Sequence, residues 1–291
     1  MNDKLNFNCN LCPNFCNVDR RSKKGACGSG DNLSISKYGL HYYEEPVISG
    51  TNGSGTVFFT GCSLRCAFCQ NYELSRVLRG KTISHLELVD IFKFLEEKGA
   101  HNINLVTPSH YVKQIAKAFE IYKPSIPIVY NTHSYETLES LEIIAPYVDI
   151  YLPDLKFYSP DISKRYTNKE NYFETATTAI SYMLNAKKTV IENGLIKSGV
   201  IVRHLILPLC VSDSKKIINW FYENQKNGAY LSIMSQYTPL IKNENLPELN
   251  RKITSKEYNA VVDYALSKGL ENVFIQDLSS ASEEYVPKWD Y

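Results

Sequence analysis

The sequence predicts an α/β domain of parallel strands, preceded by a short cysteine-rich segment. Short apolar runs alternate with longer stretches of helical period over most of the 291 residues. Most of these runs are almost continuously apolar, as in parallel strands that are buried on both faces. Repeated strand–helix units form either a barrel or an open doubly wound sheet, and the pattern alone does not choose between them.

Seven apolar runs are candidate strands. They are Thr56–Thr60, Ile103–Val106, Ile126–Asn131, Val148–Leu155, Gly199–Leu207, Leu231–Ser235 and Val273–Leu278. In a barrel or a doubly wound sheet, ligands bind in the loops after the carboxyl ends of the strands. We therefore divide the chain into a cysteine-rich segment with its lead-in, 1–50, and a strand–helix domain, 51–291.

Two helices between these strands have recognisable first residues. Ser84 with Glu87, and Thr254 with Glu257, have the spacing of capping boxes ahead of apolar stripes. Gly269 is a suitable stop for the second of these helices. Such stripes are typical of core packing, and we assign no function to them.

The charge balance gives no sign of a nucleic-acid or membrane partner. The chain has 32 lysines and arginines against 31 aspartates and glutamates, so no basic excess favours RNA or anionic lipid. No apolar run approaches the roughly 20 residues that cross a bilayer, and the first residues lack a secretory signal. We expect a cytoplasmic protein, in which cysteines stay reduced and are available to metals.

Three cysteines directly follow the first predicted strand. Cys62, Cys66 and Cys69 have the spacing Cys-x3-Cys-x2-Cys in the run GCSLRCAFC. Three thiolates can hold three irons of a [4Fe–4S] cubane and leave the fourth iron open. S-adenosylmethionine (SAM) can chelate such an iron, and electron transfer then releases a 5′-deoxyadenosyl radical. The alternative is structural zinc, which normally takes four protein ligands where this loop supplies three.

This motif resembles the signature of the radical SAM superfamily. A wider run, EEP at 44–46, GSGT at 53–56 and CQNY at 69–72, resembles the branch of pyruvate formate-lyase activating enzymes. The similarity extends over nearly the whole chain. It implies a partial (β/α)6 barrel with the cluster and SAM at its top, Phe68 near the adenine, and a flavodoxin- or ferredoxin-type reductant.

The resemblance also implies SAM contacts at two further strand ends. Asn131, Thr132 and His133 stand where activating enzymes carry a polar run that handles SAM. Asp154 and Lys156 match an Asp-Leu-Lys element whose lysine faces the SAM carboxylate and whose aspartate helps to bind a monovalent cation. A surface ion pair is the alternative for Asp154 and Lys156, and Asn131 could be a turn residue.

Arg203 lies inside an apolar strand, where a charge is costly unless it is paired. We expect it to meet a carboxylate of SAM or of the protein, and we expect its neighbour His204 to be a core histidine. One family element is missing. The Gly-Gly-Glu run that contacts the SAM ammonium is replaced by VTPSH, in which Thr107 and Ser109 could supply hydroxyl acceptors.

Four cysteines near the N-terminus form a second group. Cys9, Cys12, Cys16 and Cys27 have the number of ligands that a closed metal site needs. A metal would supply folding energy to a segment too short to build a core. Zinc is our first assignment and an auxiliary iron–sulfur cluster the second, because four thiolates suit either.

Cys210 is the one cysteine outside both groups, at the end of the fifth predicted strand. A buried lone cysteine usually behaves as a small hydrophobe, but Cys210 could also donate a hydrogen atom to a substrate radical. Gln236 and Tyr237, which follow the sixth strand, are candidate substrate-facing residues on position alone.

The sequence leaves three functions open. The first is a radical SAM enzyme that abstracts hydrogen from an unidentified small molecule or peptide. The second is activation of a glycyl radical enzyme, in which the substrate is a backbone glycine of a partner protein. The third, from a different class, is a non-catalytic iron–sulfur or zinc protein for electron transfer or scaffolding.

Overall fold

A computed structural model describes residues 9–240 and 242–281. Within those residues the strands are β1 Ser34–His41, β2 Ser54–Phe59, β3 Lys81–Thr82, β4 Ile103–Val106, β5 Ile128–Thr132, β6 Ile150–Pro153, β7 Val190–Glu192, β8 Leu195–Leu205, β9 Tyr230–Met234 and β10 Val273–Ile275. The helices are α1 Pro46–Ser49, α2 His85–Glu97, α3 Val112–Ile121, α4 Leu138–Ile144, α5 Pro160–Thr167, α6 Tyr172–Ala186, α7 Val211–Asn224 and α8 Ser255–Ser267.

The sheet is built around parallel strands that follow one another in chain order. Its order is β10-β9-β8-β6-β5-β4-β2-β1-β3, and every pairing from β2 to β10 along that path is parallel. A doubly wound sheet reverses its strand order at a switch point, and this sheet does not. The winding is therefore that of a partial barrel, as the resemblance implied.

All seven predicted strands are present, with ends shifted by a few residues. The antiparallel strands β1, β3 and β7 were not predicted. β1 pairs with β2, but seven of its eight residues are exposed or partly exposed and it lacks a continuous apolar run. Strands with mostly exposed side chains carry a weak hydrophobic pattern, and for this reason the sequence did not predict β1.

The predicted helix ends are confirmed. Ser84 and Thr254 each accept a hydrogen bond from the N3 amide, and Glu87 and Glu257 complete the two capping boxes. Gly269 follows the end of α8 with a φ of 70°, in the left-handed region that suits a helix stop.

Helix α1 fills the lower end of the barrel lumen. Its Ile48 is fully buried in a cluster with Val129, Ile150 and Ile201, which point inward from β5, β6 and β8. Side chains alternate along a strand, so the next inward positions, such as Asn131 and Arg203, lie nearer the carboxyl ends. The lumen is therefore apolar below and polar above, where a ligand can enter.

His204 is a core histidine, as expected. Its Nδ1 lies 2.8 Å from the Leu155 carbonyl oxygen and its Nε2 lies 2.9 Å from Ser214 Oγ. A carbonyl only accepts, so Nδ1 carries the hydrogen and Nε2 accepts from the serine hydroxyl. Burial lowers the pKa of His204 to about 4, and the ring stays neutral in the folded protein.

We predict that His204 makes the protein sensitive to acid. The unfolded histidine has a pKa of about 6.5, so between that pH and about 4 only the unfolded chain takes up this proton. Stability should fall as the pH is lowered through that window, by about 1.4 kcal/mol per pH unit from this group. Urea unfolding at a series of pH values should give a shallower slope for His204→Gln. Equal slopes in the two proteins would contradict this assignment.

Candidate active site

A pocket opens at the carboxyl ends of the parallel strands. Its lining residues are His41, Tyr43, Glu44, Phe58, Cys62, Cys66, Phe68, Cys69, Gln70, Asn71, Val106, Thr107, Asn131, Thr132, His133, Asp154, Lys156, Arg203, Leu205, Met234 and Gln236. All three cysteines of the predicted cluster loop are among them, together with most of the predicted SAM-binding residues. The structure therefore brings the separate sequence motifs into one place.

The cysteine loop begins where β2 ends. Gly61 has a φ of 88°, and a Cβ there would meet Ser29 Oγ and the Cys27 carbonyl oxygen, so no larger residue fits. Arg65 also has a positive φ, of 52°, and this turn brings Cys62, Cys66 and Cys69 close enough for their thiols to interact electrostatically.

Burial controls the ionisation of these thiols. It raises the pKa of Cys62 to about 11, against the amides of Leu64 and Arg65, which donate to the sulfur and favour the thiolate. It also raises the pKa of Cys66, although Lys156 opposes the shift. These groups are neutral thiols at neutral pH, and a metal binds them by displacing their protons.

Asp154, Lys156 and Arg203 form a charged group beside the cysteines. Lys156 Nζ lies 2.6 Å from Asp154 Oδ2, and Arg203 Nε lies 3.2 Å from Asp154 Oδ1. Burial alone would raise the pKa of Asp154, but the two cations outweigh it and hold the pKa below its usual value. The pair is therefore a largely buried ion pair of the pocket, not the surface pair that sequence also allowed.

Glu44 completes this group and was not predicted as a site residue. Its Oε2 lies 2.9 Å from Arg203 Nη1, while its Oε1 accepts from Asn104 Nδ2 at 2.9 Å. Asn131 Oδ1 accepts from Arg203 Nη2 at 2.6 Å. Arg203 thus pairs with two carboxylates of the protein, Glu44 and Asp154. A protein carboxylate was one of the two partners expected from the sequence, and a SAM carboxylate was the other. The signal was available, because an arginine in an apolar strand requires an acid and Glu44 lies in the EEP run.

Thr107 and Ser109, the substitutes for the missing family element, have different positions. Thr107 lines the pocket with a φ of 59°, a strained conformation for a β-branched residue. Ser109 is fully buried, and its Oγ donates to Glu136 Oε1 at 2.9 Å. Thr132 also donates to that carboxylate. Glu136 was not predicted, and it engages both hydroxyls, that of Thr132 in the pocket lining and that of Ser109 outside it.

His133 connects the third predicted strand to the cysteine loop. Its Nδ1 accepts from the Tyr135 amide at 3.1 Å, so its Nε2 carries the hydrogen and donates to Ser63 Oγ at 3.0 Å. Burial lowers the pKa of His133 to about 4, and the ring is neutral. His133 therefore orients the loop by a hydrogen bond and not by charge.

Aromatic rings support the last cysteine of the loop. Phe68 makes edge-to-face contacts with Phe157, Tyr166 and Tyr237, at centroid separations of 5.8, 6.1 and 6.3 Å. Tyr237 itself is buried and donates to the Leu249 carbonyl oxygen, so it braces Phe68 from behind the pocket. Gln236, by contrast, lines the pocket.

Cys210 lies away from this pocket. It is buried at the start of α7 and does not belong to the lining residues. Burial raises the pKa of Cys210 to about 12, and the nearby acidic residues Asp213, Glu248 and Glu257 add to the shift. A role in hydrogen-atom donation stays a prediction.

The N-terminal cysteines lie near one another and pack against the cysteine loop. Cys16 Sγ and Cys27 Sγ are both within 3.5 Å of the point that a Cβ of Gly25 would occupy. The Cys9 thiol interacts electrostatically with Cys16 and Cys27, and Cys12 with Cys9 and Cys27. The second metal site stays a prediction.

No three His, Cys, Asp or Glu side chains within 9–240 and 242–281 are arranged to hold one metal ion. For the Cys62 loop this is compatible with a cubane, whose irons each take a single thiolate, so its ligands need not surround one point. No helix of the same residues has the length and apolar character to cross a membrane.

Comparisons with known proteins identify the class. Residues 56–201 match the Radical SAM superfamily. An uncharacterized protein of Methanocaldococcus jannaschii is 28% identical over 276 residues, which cover 92% of this chain and 77% of that protein. The match to the family covers half of the chain and contains the cysteine loop.

Two solved structures are similar at low identity. SuiB of Streptococcus suis, bound to its precursor peptide SuiA, superimposes with a TM-score of 0.51 and 13% identity over 77% of this chain and 48% of SuiB. This chain therefore spans about half the length of SuiB. A domain of pyruvate-formate lyase-activating enzyme from Bacteroides vulgatus gives a TM-score of 0.39 and 10% identity, over 66% of this chain and 91% of that domain.

These findings define an α/β enzyme with a partial barrel and a ligand pocket at its carboxyl end. The chain belongs to the radical SAM superfamily. Membership of that family implies a [4Fe–4S] cluster and SAM. The family match and the parallel sheet together confirm the predicted fold, the predicted family and the prediction that the protein is an enzyme.

Proposed function

We propose that the protein cleaves SAM reductively and uses the product to abstract hydrogen from a small molecule or a peptide. One observation carries this proposal: the three cysteines of one loop share a pocket with Lys156 and Asp154, at the end of the barrel where ligands bind. When bound there, the cluster and SAM supply the electron and the 5′-deoxyadenosyl radical.

The residues of the pocket suit these two groups. Cys62, Cys66 and Cys69 would hold the cluster, because their sulfurs lie close together on one strained turn. The fit for SAM rests on Lys156, whose ammonium is a partner for a carboxylate, and on Thr107 and Asn131, which offer oxygens to an ammonium. Phe68 provides an aromatic face for adenine.

The charged groups of the pocket hold one another in place. Glu44 holds Arg203, Arg203 holds Asp154, and Asp154 in turn holds Lys156 near the cysteines. Both oxygens of Asp154 already accept hydrogen bonds, so a monovalent cation near it would have to share them. Phe58, Leu205 and Met234 supply apolar surface among the polar residues of the lining, and a substrate could pack against them.

A peptide is one reasonable substrate, since SuiB, which shares the fold, was solved with a precursor peptide. Activation of a glycyl radical enzyme is the second candidate, and the resemblance carried by residues 44–46, 53–56 and 69–72 favours it. The reductant would be a flavodoxin- or ferredoxin-type carrier, in the cytoplasm.

The test is an anaerobic reconstitution with iron, sulfide, SAM and dithionite. We expect 5′-deoxyadenosine and methionine to form, and Cys66→Ala to abolish both. Cys210→Ala is the matched control, because Cys210 lies outside the pocket and 5′-deoxyadenosine release should continue. A protein that binds its cluster but releases no 5′-deoxyadenosine would contradict the proposal. A glycyl radical signal in a co-expressed partner would favour the second candidate.

A further inference from the structure

The N-terminal cysteine segment is joined to the cluster loop through their backbones. The Cys62 amide donates to the Cys27 carbonyl oxygen at 3.1 Å. A ligand of each predicted metal centre therefore takes part in the same hydrogen bond. The path from sulfur to sulfur runs only through the covalent atoms of Cys27 and Cys62 and this bond.

A second link joins the same two regions. Asn14 Nδ2 lies 3.5 Å from Cys12 Sγ and donates to the Ser63 carbonyl oxygen at 2.8 Å. Lys169 donates to the other end of the Asn14 side chain and fixes its orientation. The segment is thus attached at Cys12 and at Cys27 to two successive residues of the cluster loop.

Hydrogen-bond donors and one cation lie beside two of the N-terminal sulfurs, although burial outweighs them and raises the pKa of both Cys9 and Cys12. The backbone amide of Leu11 donates to Cys9, and that of Asn14 donates to Cys12. Arg20, which is anchored by the carbonyl oxygens of His110 and Gly30, favours the Cys9 thiolate by its charge. A metal that displaced the protons of Cys9 and Cys12 would find these amide and cationic partners already in place around the sulfurs.

The exposed rim of the segment is basic. Lys23 and Lys24 are exposed and line a groove on the surface, next to the turn that holds Cys27, together with Arg21, which is paired with Asp19 at 2.7 Å. In the whole chain, cations and anions nearly cancel, so this local excess is a property of the segment. Complementary charge steers association with an acidic partner.

We propose that Cys9, Cys12, Cys16 and Cys27 hold a redox-active iron centre that passes electrons to the Cys62 loop, and that the basic rim docks an acidic one-electron carrier. This inference rests on the proposed function, because only a reductive reaction needs such a relay. Zinc has no second oxidation state in proteins, so a zinc ion at these four cysteines could not pass an electron through the Cys27–Cys62 link.

The electron count is simple. An acidic carrier of the flavodoxin or ferredoxin class gives up one electron and is oxidised, and the N-terminal iron centre is reduced. That centre returns to its oxidised state when the electron crosses to the centre bound by Cys62. No bond forms or breaks, and no proton moves.

The first experiment identifies the N-terminal metal by itself. In the triple variant Cys62→Ala, Cys66→Ala, Cys69→Ala, prepared anaerobically as the full chain, we expect iron to remain and a reduced-iron paramagnetic signal to appear with dithionite. Zinc in place of iron, or a folded chain without metal, would overturn the proposal. If this variant fails to fold, the native chain decides: more than four irons per chain support the relay, and four irons with one zinc refute it.

The second experiment measures the relay. The variant Cys9→Ser, Cys16→Ser should keep the Cys62 centre but accept electrons from photoreduced flavodoxin about tenfold more slowly, with the dithionite rate unchanged. Lys23→Glu, Lys24→Glu should show the same selective loss, strongest at low salt. The control Lys187→Glu, Lys188→Glu changes two lysines between α6 and β7, outside the N-terminal segment, and should have no effect.

The two failures are distinguishable. If the flavodoxin rates of these variants equal that of the native protein while SAM is still cleaved, the relay is wrong and the proposed function stands. If the native Cys62 centre is reduced normally through the relay but SAM is not cleaved, the proposed function is wrong and the relay stands.

Discussion

Replacing Arg203 by methionine is expected to lower the free energy of unfolding by about 3–5 kcal/mol, as for other buried ion pairs that lose one partner. Arg203 is 13% exposed and bonds Glu44, Asp154 and Asn131 at once. Without it, the Glu44 carboxylate stays in the lumen with only amide partners. Urea unfolding followed by circular dichroism under anaerobic conditions measures the loss.

A double-mutant cycle separates the charge effect from simple packing. Glu44→Gln removes the carboxylate that is left unpaired when Arg203 is replaced. The loss of unfolding free energy in the double variant should therefore be about 1–3 kcal/mol smaller than the sum of the two single losses. Additive losses would mean that Arg203 contributes by its volume alone. Asp154 is not the choice for this cycle, because Lys156 still neutralises it.

Replacing Lys156 by methionine is expected to weaken SAM binding by roughly 10- to 100-fold, since a charged hydrogen bond is lost in a largely buried site. Burial alone would lower the pKa of Lys156, but Asp154 outweighs it, and the side chain stays charged. Equilibrium dialysis of the cluster-loaded protein gives the dissociation constant.

The iron content of Lys156→Met should stay at the native value, because Lys156 is not a ligand. Lys156→Arg keeps the charge and should lose less affinity than methionine does. If methionine and arginine weaken SAM binding equally, the shape of the lysine matters and its charge does not. Unchanged affinity in both variants would remove Lys156 from the SAM site.

Much of this site could be predicted because it lies at strand ends. The loop of Cys62, Cys66 and Cys69 and the pair Asp154 and Lys156 follow apolar runs that are themselves easy to recognise. Because the strands are parallel and adjacent in chain order, the loops after them meet at the carboxyl end of the barrel. The structure adds that both motifs line the same pocket.

Glu44 and Glu136 escaped prediction for a different reason. Glu44 precedes the first predicted strand and pairs with a residue distant in sequence, whereas Glu136 follows the third predicted strand but is buried beneath its partners. Glu44 lies 159 positions from Arg203, and Glu136 is buried under Ser109 and Thr132. Local patterns contain no information about a pairing as distant as that of Glu44, or about the burial of Glu136. Only the unpaired charge of Arg203 pointed to a missing acid.

The placement of α1 in the lumen also changes how the chain can be divided. Ile48 packs against the strands from within, and Glu44, just ahead of it, is part of the pocket wall. A fragment that begins at residue 51 would expose the apolar floor to water and would leave Arg203 one carboxylate short. Exchanging this lead-in segment between related proteins should therefore change which ligands fit the pocket. Substrate specificity could be altered in this way while the cysteines of the cluster loop are kept.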